Sequence, residues 1–591
     1  MNRKLGDFTL TPRVLAISAL ALLIGFVSAY VALGLLKLIG FFTNLFFFGR
    51  WSAALVSPAG NRLGWLEILV PVAGALVIGL MARYGSERIR GHGIPEAIEA
   101  ILINGSRIEP KVALLKPLSS ALSIGTGGPF GAEGPIIMTG GAFGSMIAQL
   151  FRLTANERKT LLVAGAAGGM AATFAAPVAA VLLGVELLLF EWKPRSLVPV
   201  AVASVTAAAT RRYLIGLGPL FPVPAHPAFI GPAGLAGCLV AGLLAGALSA
   251  LMTLAVYAAE DAFRLLPLHW MWWPAFGGLV IGLGGLIFPQ ALGVGYDTIG
   301  ALLTGEVPRA IIVGVLLVKS VIWAVSLGSG TSGGVLAPLL MMGGALGGIE
   351  AMFLPHEGAG FWPLVSMAAM LGGTMRAPLT AVIFALELTH DVNMLLPLLL
   401  AVAVAYSCTV LGLRRSILTE KVARRGYHLS CEYAVDPLEI LFVREVMRTN
   451  VAAIPAEVTA SELAQTLNRD HPGGKRQQLY PLVDGQRRLL GVVTRRDLER
   501  FARGEDSLRR REPVVAYPDE PLRVVVNRMS ETGLTRFPVV SYGPERKLVG
   551  IVALRDLLQA RTRSLEEERH RERVLRIHLP LGRVAGTRVP Q

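Results

Sequence analysis

The chain has 591 residues, of which 53% are hydrophobic and 16% charged, with 66 glycines and a formal net charge of +15. A soluble globular chain carries about 25% charged residues, so this composition excludes a purely water-soluble protein. The deficit is uneven, because residues 426–591 hold half of all Lys, Arg, Asp and Glu. That asymmetry predicts a multi-span α-helical membrane domain followed by a soluble domain.

The basic surplus does not call for nucleic acid. Arg3, Lys4 and Arg13 precede the first apolar run, and Arg414, Arg415, Lys421, Arg424 and Arg425 follow the last, as cytoplasmic anchors do. Both termini are then expected in the cytoplasm, which requires an even number of crossings. Cys238, Cys408 and Cys431 have neither metal nor disulfide spacing, so no metal site is expected. The run from Val14 towards Phe48 is longer than the apolar core of a cleavable signal peptide.

In chain order, apolar segments recur at 13–48, 64–82, 112–124, 135–151, 160–173, 177–190, 196–217, 230–258, 269–288, 309–327, 338–354, 361–373, 378–389 and 394–413. Several fall short of the ~20 residues of a full span. Broken helices at membrane depth are tolerated inside a protein or along a watery cavity, which favours a transporter or channel over an anchor.

An internal repeat runs through these segments. LLKPLSSALSIGTGGPFGAEGP (114–135) parallels LLVKSVIWAVSLGSGTSGGVLAP (316–338), and Lys116 and Lys319 precede Pro135 and Pro338 by the same distance. TFAAPVAAVLLGVELL (173–188) likewise parallels TMRAPLTAVIFALELT (374–389). Interrupted segments at matching places in two halves mark a site at the repeat interface.

Three segments join glycine-rich loops to a helix-starting proline: GHGIP (91–95), GAEGP (131–135) and GGVLAP (333–338). Glycine permits close backbone approach, and proline preorganises a first helical turn. Each is expected to aim unpaired amides at one place, an anion site built from helix N-termini. Taken singly, each segment could be only a tight helix connection.

In order and spacing these segments resemble the GSGIP, GxEGP and GxFxP signatures of the CLC chloride channel and transporter family, over about residues 60–425. The resemblance implies a homodimer in the bilayer, with one chloride-type anion pathway per subunit and two inverted halves, about 13–217 and 230–425, in a membrane domain of 1–425. It implies a gating role for Glu133 and anion contacts from Gly91, His92, Gly93, Ala132, Gly134, Val335 and Leu336. A carboxylate at a helix N-terminus can itself occupy an anion site, and the repeat counterpart of Glu133 is Leu336, so the fold does not need the charge.

Several positions depart from the family. His92 replaces the signature serine, Leu336 the phenylalanine, and Leu418, in SILTEKVARRG (416–426), the usual tyrosine. His92 could donate to an anion, or stand as a neutral helix-cap residue. Proton-coupled members carry a Glu-Glu pair after an Ala-Pro; here Pro177 is followed at those places by Glu186 and Leu187. Leucine carries no proton, so a channel-like or proton-uncoupled protein is expected, with Glu191 as a conceivable substitute and a proton/chloride antiporter as the alternative.

After a 426–442 linker, residues 443–503 and 513–566 repeat one pattern and resemble tandem CBS domains, α/β modules that pair and bind adenosine nucleotides. GVVTRRD supplies Thr494 and Asp497; GIVALRD supplies Asp556 but has Ala553 for the hydroxyl. The resemblance implies an ATP, ADP or AMP site using Tyr480, Thr494, Asp497 and Asp556, with no cofactor required for transport. A structural pair without ligand is the other reading. The 567–591 tail reads as a charged, solvated end.

Rival functions fit less well. GTSG (330–333) has the form of an intramembrane serine protease motif around Ser332, and no His-Glu-x-x-His metalloprotease motif occurs, so no enzyme is expected. A CBS-bearing divalent cation transporter would need several carboxylates facing one pore, whereas helix N-termini favour anions. Both termini and the CBS pair are expected in the cytoplasm and the membrane domain in the inner membrane of a prokaryote.

Overall fold

The computed structural model describes residues 11–102, 105–305, 307–426, 438, 441–459, 477–503 and 510–569. Arg3, Lys4, Cys431, nearly all of the expected linker and the tail from residue 570 lie outside the described residues. The chain divides into two units, Met1–Glu432 and Tyr433–Gln591.

Among the described residues, the regular elements of the first unit are helices. Its first half holds α1 (Arg13–Phe48), α2 (Leu69–Tyr84), α3 (Ile94–Leu102), α4 (Pro110–Gly125), α5 (Glu133–Gln149), α6 (Ala155–Phe174), α7 (Pro177–Leu183) and α8 (Pro194–Leu214). The second holds α9 (Pro232–Arg264), α10 (Trp273–Ile287), α11 (Tyr296–Thr304), α12 (Arg309–Gly314), α13 (Ser320–Gly328), α14 (Leu336–Glu350), α15 (Phe361–Met375), α16 (Pro378–Thr389), α17 (Leu395–Gly412) and α18 (Ile417–Arg424). Proline at the first helical turn starts α4, α7, α8, α9 and α16, where its missing N–H costs nothing. The expected boundaries of α15 and α16 agree within two residues. Helix α3 starts at GHGIP as expected, whereas the short helices α11 and α18 were not anticipated, because polar residues interrupt their apolar periodicity.

Among the described residues, six stretches are long and apolar enough to cross a bilayer: Arg13–Phe48, Gly64–Tyr84, Pro232–Arg264, Trp270–Ile287, Arg309–Gly328 and Val392–Arg424. Others cannot cross alone. The 15 residues of α14 or α15 extend about 23 Å, against a hydrocarbon core of ~30 Å. These short helices are buried inside the protein, whereas α1 and α9 expose Leu22, Phe26, Leu243, Leu251 and Leu254. In a bilayer those exposed side chains meet lipid.

Helix packing follows the repeat. On α5, a Cβ added to Gly140 or Gly144 would strike the carbonyls of Gly165 and Leu161 on α6. On α14, Gly343 and Gly347 stand in the same relation to Ser366 and Trp362 of α15. The shared Gly-Gly-Ala-x-Gly run lets both helix pairs close to backbone contact. Small residues at such interfaces replace the hydrophobic driving force that lipid does not supply.

The second unit repeats a strand–strand–helix pattern. Strands β1 (Ile454–Pro455), β2 (Leu479–Val483) and β3 (Leu489–Thr494) form one sheet, β1 parallel to β2 and β2 antiparallel to β3. Strands β4 (Arg536–Val540) and β5 (Leu548–Ala553) form an antiparallel pair. Both hairpins shift register at matching places, after Leu482 and after Val539. Helices Arg495–Ala502 and Leu554–Arg569 follow β3 and β5 directly.

Candidate functional site

The three glycine loops meet in one backbone cluster. Gly131 and Gly334 exchange two N–H···O bonds of 3.1 and 2.9 Å, joining the starts of α5 and α14. Gly91 donates to the Thr331 carbonyl at 3.2 Å, and Gly333 donates back to Gly91 at 3.4 Å. A Cβ on Gly134 would overlap the His92 carbonyl oxygen and lie 3.3 Å from the Gly334 Cα. Gly91 and Gly93 adopt φ of 78° and 89°, a left-handed conformation that glycine adopts without strain.

Two expected donors are corrected by this geometry. The Gly91 amide is engaged by Thr331 and the Gly93 amide by the Glu96 carboxylate at 3.1 Å, so both glycines shape the loop instead of donating to an anion. The helix-cap reading of His92 is also displaced. Glu96 fills that place on α3, while the buried His92 Nδ1 has no hydrogen-bond partner among the described residues. Ala132, Gly134, Val335 and Leu336 lie buried where α5 and α14 begin. There the first-turn amides have no helical acceptors.

Glu133 opens α5 and is fully buried. Its carboxylate faces the amides of Glu133 and Ala337, with neither oxygen in a well-formed hydrogen bond. Gly131 and Gly334 pack against it so closely that a Cβ on either would collide with Oε2. The cation acting on it is Lys319. The ammonium of Lys319 is itself bound to the carbonyls of Ala291 and Gly293, at 2.9 and 2.7 Å.

Lys319 has a repeat mate in Lys116, whose ammonium donates to Ile89 O at 2.9 Å, Gly91 O at 2.7 Å and Ser332 Oγ at 3.1 Å. Each lysine therefore fastens a glycine loop of its own half. The second loop, GVGYD (293–297), was not recognised in the sequence because Tyr296 and Asp297 stand where the first has Ile94 and Pro95. Its repeat of Gly-x-Gly at an offset close to that of the lysines was the available signal. Ser332 is buried and tied to Lys116, Ser119 and Ser120, which accounts for its Gly-x-Ser-Gly setting without a nucleophile.

One cavity reaches this cluster and a second lies against the 293–297 loop. The first, of about 320 Å³, reaches Gly91 and His92 and is lined by Arg90, Lys421, Arg424 and Arg425 among others. Arg90 stacks 4.5 Å from the Trp270 ring centroid, and Glu96 pairs with Lys421 at 2.7 Å and Arg425 at 3.2 Å. Leu418 is buried on α18 and lines neither cavity. The polar group nearby is Tyr257, which lines the first cavity and whose hydroxyl donates to the Ile417 carbonyl at 2.5 Å. The second cavity, about 450 Å³, is lined by Thr43, Phe221, Gly293, Gly295 and Tyr296 among others.

The carboxylates after the Ala-Pro pairs are helix caps. Glu186 accepts from the amides of Leu379 and Thr380, 3.2 and 2.9 Å away, at the start of α16. Glu387 accepts from Val178 and Ala179, 2.9 and 2.8 Å away, at the start of α7. Each half thus neutralises the orphan amides of the other. Leu187 is buried. Glu191, between α7 and α8, binds Ser196 Oγ at 2.6 Å with Lys193 and Arg195 beside it. Burial pushes its carboxyl up, but the Ser196 hydroxyl and the Lys159, Arg195 and Lys193 cations outweigh that and hold it below the usual carboxylate range.

In the second unit, Tyr480 and Asp556 line one cavity of about 350 Å³, together with Arg448, Arg495, Arg536 and Arg555. Arg448 pairs with Asp556 at 2.5 Å. Thr494 and Asp497 do not line it. They cap the helix Arg495–Ala502 reciprocally, and Arg511 lies 3.4 Å from Asp497.

The Voltage gated chloride channel family model matches residues 73–409, and the CBS domain model matches 443–504 and 506–563. The Voltage-gated ClC-type chloride channel ClcB of Escherichia coli is 31% identical over 373 residues, covering 61% of this chain and 87% of the relative. The crystal structure of a slow cyanobacterial Cl−/H+ antiporter aligns with a TM-score of 0.60 and 23% identity, over 71% of this chain and 99% of that one. A CLC-type fluoride/proton antiporter gives 0.58 and 20%, over 68% and 96%. Together with the glycine loops converging on Glu133, these matches establish that the chain belongs to the voltage-gated chloride channel (CLC) family, a family of transporters rather than enzymes, and carries a C-terminal pair of CBS domains.

Proposed function

We propose that the membrane unit moves chloride or a related small anion passively, past a gate formed by Glu133. The observation that carries this reading is the Glu133 carboxylate, buried among the first-turn amides of α5 and α14 with no ion-pair partner in contact among the described residues. A buried charge without a partner is expensive, and amides at helix N-termini are its natural solvent. An anion arriving there meets the same amides, so carboxylate and anion compete for one place. Ala132, Gly134, Val335 and Leu336 then supply backbone contacts, and His92 Nδ1 is free to face the ion.

Passive movement is supported by Leu187 at the proton-transfer position and by the engagement of Glu186, Glu387 and Glu191 elsewhere. The same reading takes the protein as a homodimer in the inner membrane of a prokaryote. Its termini and CBS pair are cytoplasmic, as the basic residues flanking α1 and α18 favour.

Chloride efflux from liposomes, with proton movement read simultaneously, tests this. The wild type is expected to release chloride without driving protons uphill, and efflux is expected to rise on acidification, by up to about tenfold per pH unit as Glu133 neutralises. Glu133→Gln is expected to conduct at neutral pH and to lose that dependence. Proton uptake against its gradient, driven by chloride, would establish an antiporter instead.

A second reading concerns the CBS pair. Four arginines around Tyr480 and Asp556 make its cavity complementary to a phosphate-bearing ligand such as ATP, ADP or AMP. Titration calorimetry of the full chain is expected to give heat with at least one of the three, abolished by Asp556→Ala. No heat with any of them would leave the pair a structural module.

A further inference from the structure

The loop 293–297 brings a fourth helix start to the site. Gly293 and Gly295 adopt φ of 63° and 80°, as Gly91 and Gly93 do in the repeat-related loop, and α11 begins at Tyr296. Lys319 fastens the loop from below, and a Cβ on Gly295 would lie 3.9 Å from its ammonium.

Tyr296 has an unusual environment. Its ring packs edge-on against Phe221 at 6.0 Å, on the wall of the 450 Å³ cavity. Its hydroxyl is buried and has no hydrogen-bond partner among the described residues. Buried phenol hydroxyls nearly always find a partner, so an orphan at this depth needs an explanation. The charged group whose field reaches it is Glu133. Asp297, next in sequence, is exposed, and Lys319 is engaged by the Ala291 and Gly293 carbonyls. Ile94 holds the repeat-related position on α3, so the fold itself asks for no hydroxyl there.

An unpartnered donor thus lies within the electrostatic reach of a carboxylate that, among the described residues, has only the loosely aligned amides of Glu133 and Ala337 before it. We propose that Tyr296 is a positioning residue for the gate: its hydroxyl donates to the Glu133 carboxylate when that side chain swings off the amides of α5 and α14 towards the second cavity. The displaced carboxylate then stays ionised and held, and the anion site is vacated without a proton. This rests on the reading of Glu133 as the gate. A charge-assisted hydrogen bond of this kind is about twice as strong as a neutral one, enough to set how often the gate stands aside.

A double-mutant cycle in liposomes at neutral pH tests it, using Tyr296→Phe, which removes one oxygen, and Glu133→Ala, which leaves nothing to hold. Tyr296→Phe is expected to slow chloride efflux about tenfold in the wild type, the equivalent of 1.4 kcal/mol, and by less than about twofold in Glu133→Ala. Equal slowing in both backgrounds would mean that the hydroxyl only supports packing, and no slowing in either would mean that it holds nothing; both overturn the proposal. If Glu133→Ala alone leaves efflux at the wild-type rate, the gate reading fails first, and that outcome is distinguishable from the others.

Discussion

Gly134→Ala is expected to abolish chloride efflux and to leave little correctly folded protein. The added methyl would overlap the His92 carbonyl oxygen and lie 3.3 Å from the Gly334 Cα, with backbone on both sides. No flexible side chain can yield there, so α5 must move away from the loops that carry His92 and Gly334. That movement would break the paired bonds between Gly131 and Gly334. Overpacking a tight core costs typically 1–3 kcal/mol when side chains can adjust, and a backbone clash exceeds that range. Gly60→Ala makes the control, since a Cβ there meets nothing within 4 Å. Fluorescence-detected size exclusion of the two variants, followed by efflux from whatever monodisperse protein is recovered, measures the difference. Wild-type efflux from Gly134→Ala would show that the three loops are not in backbone contact.

Lys116→Met should cost about 3 kcal/mol or more of stability and slow efflux at least tenfold. The substitution keeps the length of the side chain and removes a fully buried ammonium that serves three acceptors. Ile89 O is left without that donor and Gly91 O keeps only the long bond from Gly333 N–H, and a buried orphan costs about 1–3 kcal/mol. The loop that places His92 and meets Gly134 loses its fastening, so function falls with stability. Lys116→Arg is not expected to rescue, because a planar guanidinium cannot reproduce three bonds converging on one nitrogen. Lys111→Met, on the exposed face of the same helix, should be neutral. Thermal unfolding in detergent, with efflux on the same preparations, gives both readouts. An unchanged melting temperature would remove the lysine from the account of how the site is held.

Much of this site is legible in the sequence. The order of GHGIP, GAEGP and GGVLAP, the doubled Lys-to-Pro spacing and the lone carboxylate at 133 are local patterns. Local patterns survive in sequence because helix starts, tight turns and apolar periodicity depend on neighbours in the chain. For the same reason the boundaries of α15 and α16 were legible.

Other features depend on which groups meet across the fold. That the amides of Gly91 and Gly93 are already engaged, by Thr331 and by Glu96, cannot be inferred from a glycine-rich spelling. That Glu186 and Glu387 cap helices belonging to the opposite half requires the two halves to interlock. In the CBS pair, a shared motif placed Thr494 and Asp497 alongside Asp556, yet the four-arginine cavity contains only Asp556 and Tyr480 of the expected set.

The sequence by itself determined that this is a CLC-type membrane domain with a CBS pair, and that a carboxylate, Glu133, stands at the start of one of its glycine-loop helices. Only the tertiary structure decided what surrounds that charge: the amides of α5 and α14, with Lys319 in the background. The reason is physical. A glutamate at a helix start is a local fact, but the energy of a buried carboxylate is fixed by every dipole and ion that long-range packing places around it.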